Sequence, residues 1–416
     1  MECPTAGLSA VSEATAAQST PAPAPLSTRR VRACVALLVA LGFVLGCSEF
    51  IVIGMEVEIA ADLGVTVARV GELVSVFALF YAVLTPVLAL VTGRFRRFTL
   101  LAVYAAVFCA GNLLAMLAPT FGVLLASRAL LGGVSGALLA LGVTYIPDLL
   151  GTERVSRTIS VIYAAFSVAL VVATSLGKLV ADALDWHVGM VGVFAVGALL
   201  CGALVAVLPR TGTTDEPATV RDQAVLFEQP CVWAGMLVFV FGIGSVYVFY
   251  AYITPYLESV LGLTVAASSA VLMGYGAVCF VSNLLSGWLD ARFGLKALLV
   301  VFLLQALVLA GIYLATPCVP ATLAFVFALA LTMCTVSVPV ISMFMHTANA
   351  RCPKALTLAS SLEPMSYNVG IAFGTVAGGW VASGPGMQDA GLVGAVLSLA
   401  ALGAVAATMA LRRGGR

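Results

Sequence analysis

Residues 34–54 read CVALLVALGFVLGCSEFIVIG, with one charged side chain, Glu49, in the whole run. At ~1.5 Å per residue such a helix rises about 30 Å, the thickness of a bilayer's hydrocarbon core. The run is apolar on every side, so it lacks the strict alternation of a membrane strand. Similar runs recur at 70–92, 99–118, 121–147, 158–183 and 189–208, and again at 231–254, 267–289, 297–316, 321–346, 356–382 and 391–411. Composition agrees. The 416 residues are 62% hydrophobic and 9% charged, whereas a soluble domain needs about 25% charged residues to cover its surface. The expectation is an all-α membrane protein crossing the bilayer twelve times.

Positive charge orients the crossings. Of 20 Lys and Arg residues, all but Arg69, Arg128 and Lys178 fall on the side of the N-terminus. That places both termini in the cytoplasm. The Ala-, Ser-, Thr- and Pro-rich start lacks the charged region of a signal peptide, and residues 1–33 are expected to be a disordered cytoplasmic tail. Residues 34–208 form a first six-helix bundle, 209–230 a polar cytoplasmic loop, 231–411 a second bundle and 412–416 a short tail. The halves carry an internal echo: DLGVTVA (62–68) and VLGLTVA (260–266) lie 198 residues apart, as do Arg94-Phe95 and Arg292-Phe293. Parallel repeats of six crossings place a binding site at the midplane between the halves.

Other classes find little support. The basic residues are scattered, which disfavours nucleic acid. Most of the cysteines, such as Cys279 and Cys334, sit inside apolar runs as small packing residues, and no C-x-x-C occurs. The two histidines are far apart, and no phosphate-cradling loop is present. Neither an enzyme nor an ATP-driven pump is expected, and no cofactor or metal.

Several segments resemble the major facilitator superfamily, in particular its bacterial branch of sugar-efflux and drug:proton antiporters. They are SEFIVIGMEVEIAADLGV (48–65), YAYITPYLESVLGLT (250–264) and YNVGIAFGTVAGG (367–379). The resemblance covers about residues 38–411. It implies two six-helix bundles, alternating access and a small-molecule substrate. The family's inner-loop gating signature occurs twice in altered form. GWLDARFGLK (287–296) keeps Gly287, Arg292 and Gly294 with Asp290 one place early, and TGRFRRF (92–98) has Gly93 where the family usually has Asp, followed by Arg94. The branch's fifth-span G-V-P-L-G is reduced to ATSLG (173–177), which leaves direction open between export, import and passive facilitation.

Charges inside a crossing cost at least ~2.5 kcal/mol at its centre and usually pair or line a wet cavity. Glu49 and Arg128 each lie about six residues, roughly 9 Å, from the outer ends of their spans. Equal depth permits a buried pair, which either couples protons or is static. The resemblance adds that Arg128 belongs to a motif with Gly136. Lys178 has Asp182 at i+4, either a local salt bridge or part of an anion site. Glu363 precedes Pro364, where a bend could turn it toward the cavity. Phe50, Tyr247, Tyr250 and Asn368 complete the candidate cavity residues. Tyr247 and Tyr250 share a helix face, and the Asn368 amide needs partners in an apolar span. Gly132 with Gly136, and Gly370, Gly374 and Gly378, repeat at the spacing that lets helices approach closely. The expected function is secondary transport, probing toward proton-coupled export of a sugar, nucleoside or drug-like compound across the cell membrane by a monomer.

Overall fold

The computed structural model describes residues 27–92, 95–150, 155–210, 226–351, 356–384 and 386–414. Among them every regular element is helical. The first half holds α1 (Thr28–Gly54), α2 (Glu56–Asp62), α3 (Val67–Thr92), α4 (Arg97–Met116), α5 (Phe121–Val143), α6 (Ile146–Leu150), α7 (Val155–Ala183) and α8 (Trp186–Val207). The second holds α9 (Pro230–Tyr250), α10 (Val265–Phe293), α11 (Ala297–Ala315), α12 (Val319–Met333), α13 (Ser337–Arg351), α14 (Leu356–Ser383) and α15 (Ala390–Gly414). Ten stretches of the described chain are long and apolar enough to cross a membrane, and one of them, Val265–Ala315, contains both α10 and α11. The 28-residue α14 is not among the ten.

Short polar side chains start the helices where the sequence offers them. Ser27 accepts a bond from the Arg30 N–H and starts α1 at Thr28, six residues before the expected start of the first span at 34; residues 1–26 lie outside the described chain. At the other end α15 continues to Gly414, through residues expected to be tail. α9 starts at Pro230, whose missing N–H costs nothing at a first helical position. The polar segment 211–225 lies outside the described residues.

The internal echo becomes one turn built twice. Gly64 and Gly262 adopt φ of 61° and 66°, a conformation that side chains with a Cβ resist. Two residues on, Thr66 and Thr264 accept bonds from the N–H groups of Arg69 and Ala267, each at 3.3 Å. A left-handed Gly thus ends one element and a Thr starts the next, so α3 and α10 begin alike.

We call the end of the bundle where α1 begins the near end and the end where it finishes, at Gly54, the far end. One buried core is made only of first-half residues, from Cys34 to Leu208, and lies toward the near end. The other takes in the far-end parts of α1, α3, α7 and α8 (Phe50, Val70, Leu170, Trp186) and continues through the second half to Val405. The two halves therefore share a core at the far end.

Glycines set the closest helix crossings. A Cβ on Gly132 would lie 2.1 Å from the Phe77 carbonyl oxygen, and one on Gly136 would lie 2.0 Å from Thr85 Oγ1, so α5 rides directly on α3. Gly370, Gly374 and Gly378 place α14 on α9 in the same way, with Cβ positions 2.8, 2.3 and 2.4 Å from the carbonyls of Phe239, Gly244 and Val248.

Candidate functional site

These crossings bring α1, α3, α5, α9 and α14 around one narrow, tightly packed cleft. Its lining includes Glu49, Phe50, Phe77, Arg128, Tyr247 and Ile371. Four expected residues, Glu49, Phe50, Arg128 and Tyr247, thus meet there, and both halves contribute.

Arg128 is 2% exposed. Its guanidinium donates to the backbone carbonyls of Ser48 (2.5 Å) and Glu49 (2.8 Å), with a longer bond to that of Leu73 (3.4 Å). The Phe77 ring covers its face at 4.4 Å. The direct ion pair with the Glu49 side chain expected from equal depth is therefore not formed among the described residues. The reason lies in shape: the planar fork matches two successive carbonyl oxygens of α1 and clamps α1 to α5. Glu49, also buried, has its carboxylate beside the cleft, within electrostatic reach of Arg128 but not bonded to it.

Tyr247 is fully buried, its hydroxyl has no hydrogen-bond partner among the described residues, and it lies within electrostatic reach of Glu49 and Tyr367. Tyr250 does not line the cleft. It packs edge-on against Tyr247 (5.5 Å between centroids) and stacks on Tyr275 (4.8 Å), so it supports the lining from behind. Asn368 donates to the Pro364 carbonyl at 3.0 Å, with its amide oxygen buried and without a partner among the described residues. Glu363 is buried near Ser337 on α13. Neither lines the cleft. Ile371 and Phe77 were missed: an apolar or aromatic side chain in an apolar span gives no signal of which way it faces.

At the near end, Gly93 and Arg94 lie outside the described residues. Asp290 accepts a bond from Ser342 at 2.7 Å, while Arg292 lies over the Trp288 ring at 5.4 Å. Around Gly287 a Cβ would meet open space. Arg97, next to the altered first-half signature, pairs with Asp148 at 3.3 Å.

Contacts between the halves gather at the far end. Thr254 Oγ1 donates to the Ile53 carbonyl at 2.7 Å. The Tyr252 hydroxyl sits between the carbonyls of Thr375 (3.0 Å) and Ala68 (3.4 Å). Lys178 is 1% exposed and does not pair with Asp182 as its spacing suggests. It bonds instead to Glu58 and lies 2.8 Å from Glu258 Oε1, in the second half. Sequence spacing finds i+4 neighbours only, and both partners come from distant segments. Deeper in, Asn283 donates to Ser167 at 2.9 Å.

Comparison with known proteins places this arrangement. The family model described as Major Facilitator Superfamily matches residues 38–357. The uncharacterized MFS-type transporter YtbD of Bacillus subtilis is 28% identical over 364 residues, covering 86% of this chain and 91% of the relative. The inner membrane transport protein YdhP of Escherichia coli K12 is 28% identical over 371 residues, covering 88% and 93%. The crystal structure of a bacterial homolog of the human lysosomal transporter Spinster, inward-facing and unoccupied, shares the fold with a TM-score of 0.68 at 17% identity, covering 93% of this chain and 97% of its own.

Proposed function

The chain belongs to the major facilitator superfamily, and from that premise we propose that this transporter exports a small organic solute in exchange for protons by alternating access. The solute class is a sugar, nucleoside or drug-like compound. The observation that carries the reading is the shared cleft. Glu49 and Arg128 enter it from the first half, Tyr247 and Ile371 from the second. A site built from both halves changes when they rock, and Glu49 is a carboxylate there without an ion-pair partner among the described residues. Arg128 is already satisfied by backbone carbonyls, so it supplies field rather than a fixed bond. Proton gain or loss at Glu49 is then free to follow conformation and occupancy.

In this reading the chain crosses the cell membrane twelve times as two six-helix bundles with both termini cytoplasmic, and works as a monomer. The near end is the cytoplasmic side, and the shared far-end core marks a state closed to the outside. Proton-coupled import or passive facilitation is the second reading, favoured by the reduced ATSLG segment (173–177). Proteoliposomes of one known orientation, offered sugars, nucleosides and cationic drugs on either face, separate the two. Accumulation inside right-side-out vesicles against a gradient, driven by an inward proton flux, would overturn export.

A further inference from the structure

Glu56 opens α2, directly after α1, where the halves meet at the far end. It is 0% exposed, and neither carboxylate oxygen has a hydrogen-bond partner among the described residues. The titratable and charged groups on its own element and on the elements around it are these. On α2 there are Glu58 and Asp62, and Asp62 accepts a bond from Trp186 at 3.0 Å. From α7 comes Lys178, already engaged by Glu58 and Glu258. From α3 come Glu72, which is exposed, and Arg69, whose guanidinium lies 5.1 Å from the Phe121 ring centre. From the second half come Tyr250 and Tyr252, both within reach of its charge, and Glu258. Lys178 is bound by those two carboxylates, and among the described residues no cation pairs with Glu56. An ionised Glu56 would be a buried anion beside Glu58, away from water and without a donor among the described residues. Burial, with the Glu58 charge added, holds its carboxyl well above the usual range.

We propose that Glu56 is a second proton-binding site, belonging to the far-end closure rather than to the central cleft, and that its proton is bound while the halves are closed there and lost when they part. The groups that shut the far end flank it on both sides. Thr254 bonds to Ile53, three residues before it, and Glu258 bonds to Lys178. Separating the halves removes both and admits water to the carboxyl. The sign follows. The closed state holds the proton more tightly than the open one, so closure is fully favoured below the exposed-carboxyl value of about 4.3 and weakens as pH rises toward the raised value. One proton linked in this way changes the closed-to-open ratio by up to about tenfold per pH unit.

The proposal rests on alternating access but not on any substrate. The test is the distance distribution between spin labels on two exposed far-end positions, one in each half: Leu184→Cys and the native Cys318, with the other cysteines replaced by alanine. The reconstituted protein is measured from pH 5 to pH 9. The expected result is a closed population that falls with rising pH. Glu56→Gln should flatten that fall by one proton's share, and Glu56→Asp should restore it. A slope unchanged in Glu56→Gln would overturn the proposal while leaving alternation intact. A slope lost in both variants would mark general damage and also overturn it. A wild type whose distances never change would overturn both the proposal and the alternation it rests on.

Discussion

Gly374→Ala tests the helix crossing that delivers the second half to the cleft. The new Cβ would lie 2.3 Å from the Gly244 carbonyl oxygen and 2.8 Å from its Cα. Ordinary van der Waals contact begins at about 3.4 Å, so α14 and α9 must part by roughly 1 Å, and the obstacle is backbone that cannot rotate away. Overpacking of this kind costs about 1–3 kcal/mol. Against it stands the gain of up to about 1 kcal/mol from Ala over Gly inside a helix. Gly403→Ala isolates that gain, because nothing lies within 4 Å of its Cβ position. The assay is thermal unfolding in detergent, read by a thiol-reactive dye that reports exposure of the buried thiols of Cys201, Cys279 and Cys334. Gly374→Ala should melt about 2–5 °C below wild type, with Gly403→Ala at or above it. The reasoning fails if the two variants melt together.

Arg128→Lys keeps the charge but loses the fork across the Ser48 and Glu49 carbonyls; at about 1.5–3 kcal/mol per charged bond, it should lower the unfolding midpoint and cut transport at least about tenfold, checked by denaturation and uptake side by side. Lys178→Met leaves Glu58 and Glu258 facing each other across the far end. Both carboxylates are partly exposed, at 18% and 17%, so the loss is nearer about 2 kcal/mol than the 3–5 of a fully buried pair, and spin-label distances should show the closed-to-open ratio falling about thirtyfold. Asp185 caps α8 through the His187 N–H at 2.7 Å, and the bonds from the His187 backbone and ring hold its carboxyl below the usual range. Its stabilisation is therefore present above the ordinary value of about 3.9 and lost as pH falls below it; Asp185→Ala should cost about 1 kcal/mol at neutral pH and converge on wild type in acid, as read by melting curves against pH.

The helices were legible because each needs only a long apolar run and a break, and the breaks are local chemistry. The pair of L-G-x-T turns is the clearest case: Gly64 and Gly262 take the same left-handed backbone and Thr66 and Thr264 the same cap. The close-packing glycines were legible too, because only a missing Cβ permits backbone contact at i+4 spacing. The candidate site was legible in part of its membership but not in its bonding. Glu49, Phe50, Arg128 and Tyr247 share a cleft, yet Arg128 reaches carbonyls that every residue possesses and sequence therefore does not distinguish. Lys178 shows the same limit across a longer range. Its partner at i+4 was visible, while Glu58 and Glu258, 120 and 80 residues away, are set by how two halves dock. Tyr250 and Asn368 carry the polar groups of a cavity residue, but Tyr250 stacks on Tyr275 of α10 and Asn368 bonds back to the Pro364 carbonyl of its own helix.

The central claim is that Glu49 couples proton movement to solute movement. Purified protein in proteoliposomes with an entrapped pH indicator, challenged with sugars, nucleosides and cationic drugs, tests it directly when Glu49→Gln is run beside wild type. The account predicts a compound-dependent proton signal in wild type that vanishes in the variant while the compound still binds. Substrate flux with no proton signal, or a signal that Glu49→Gln leaves intact, would contradict it.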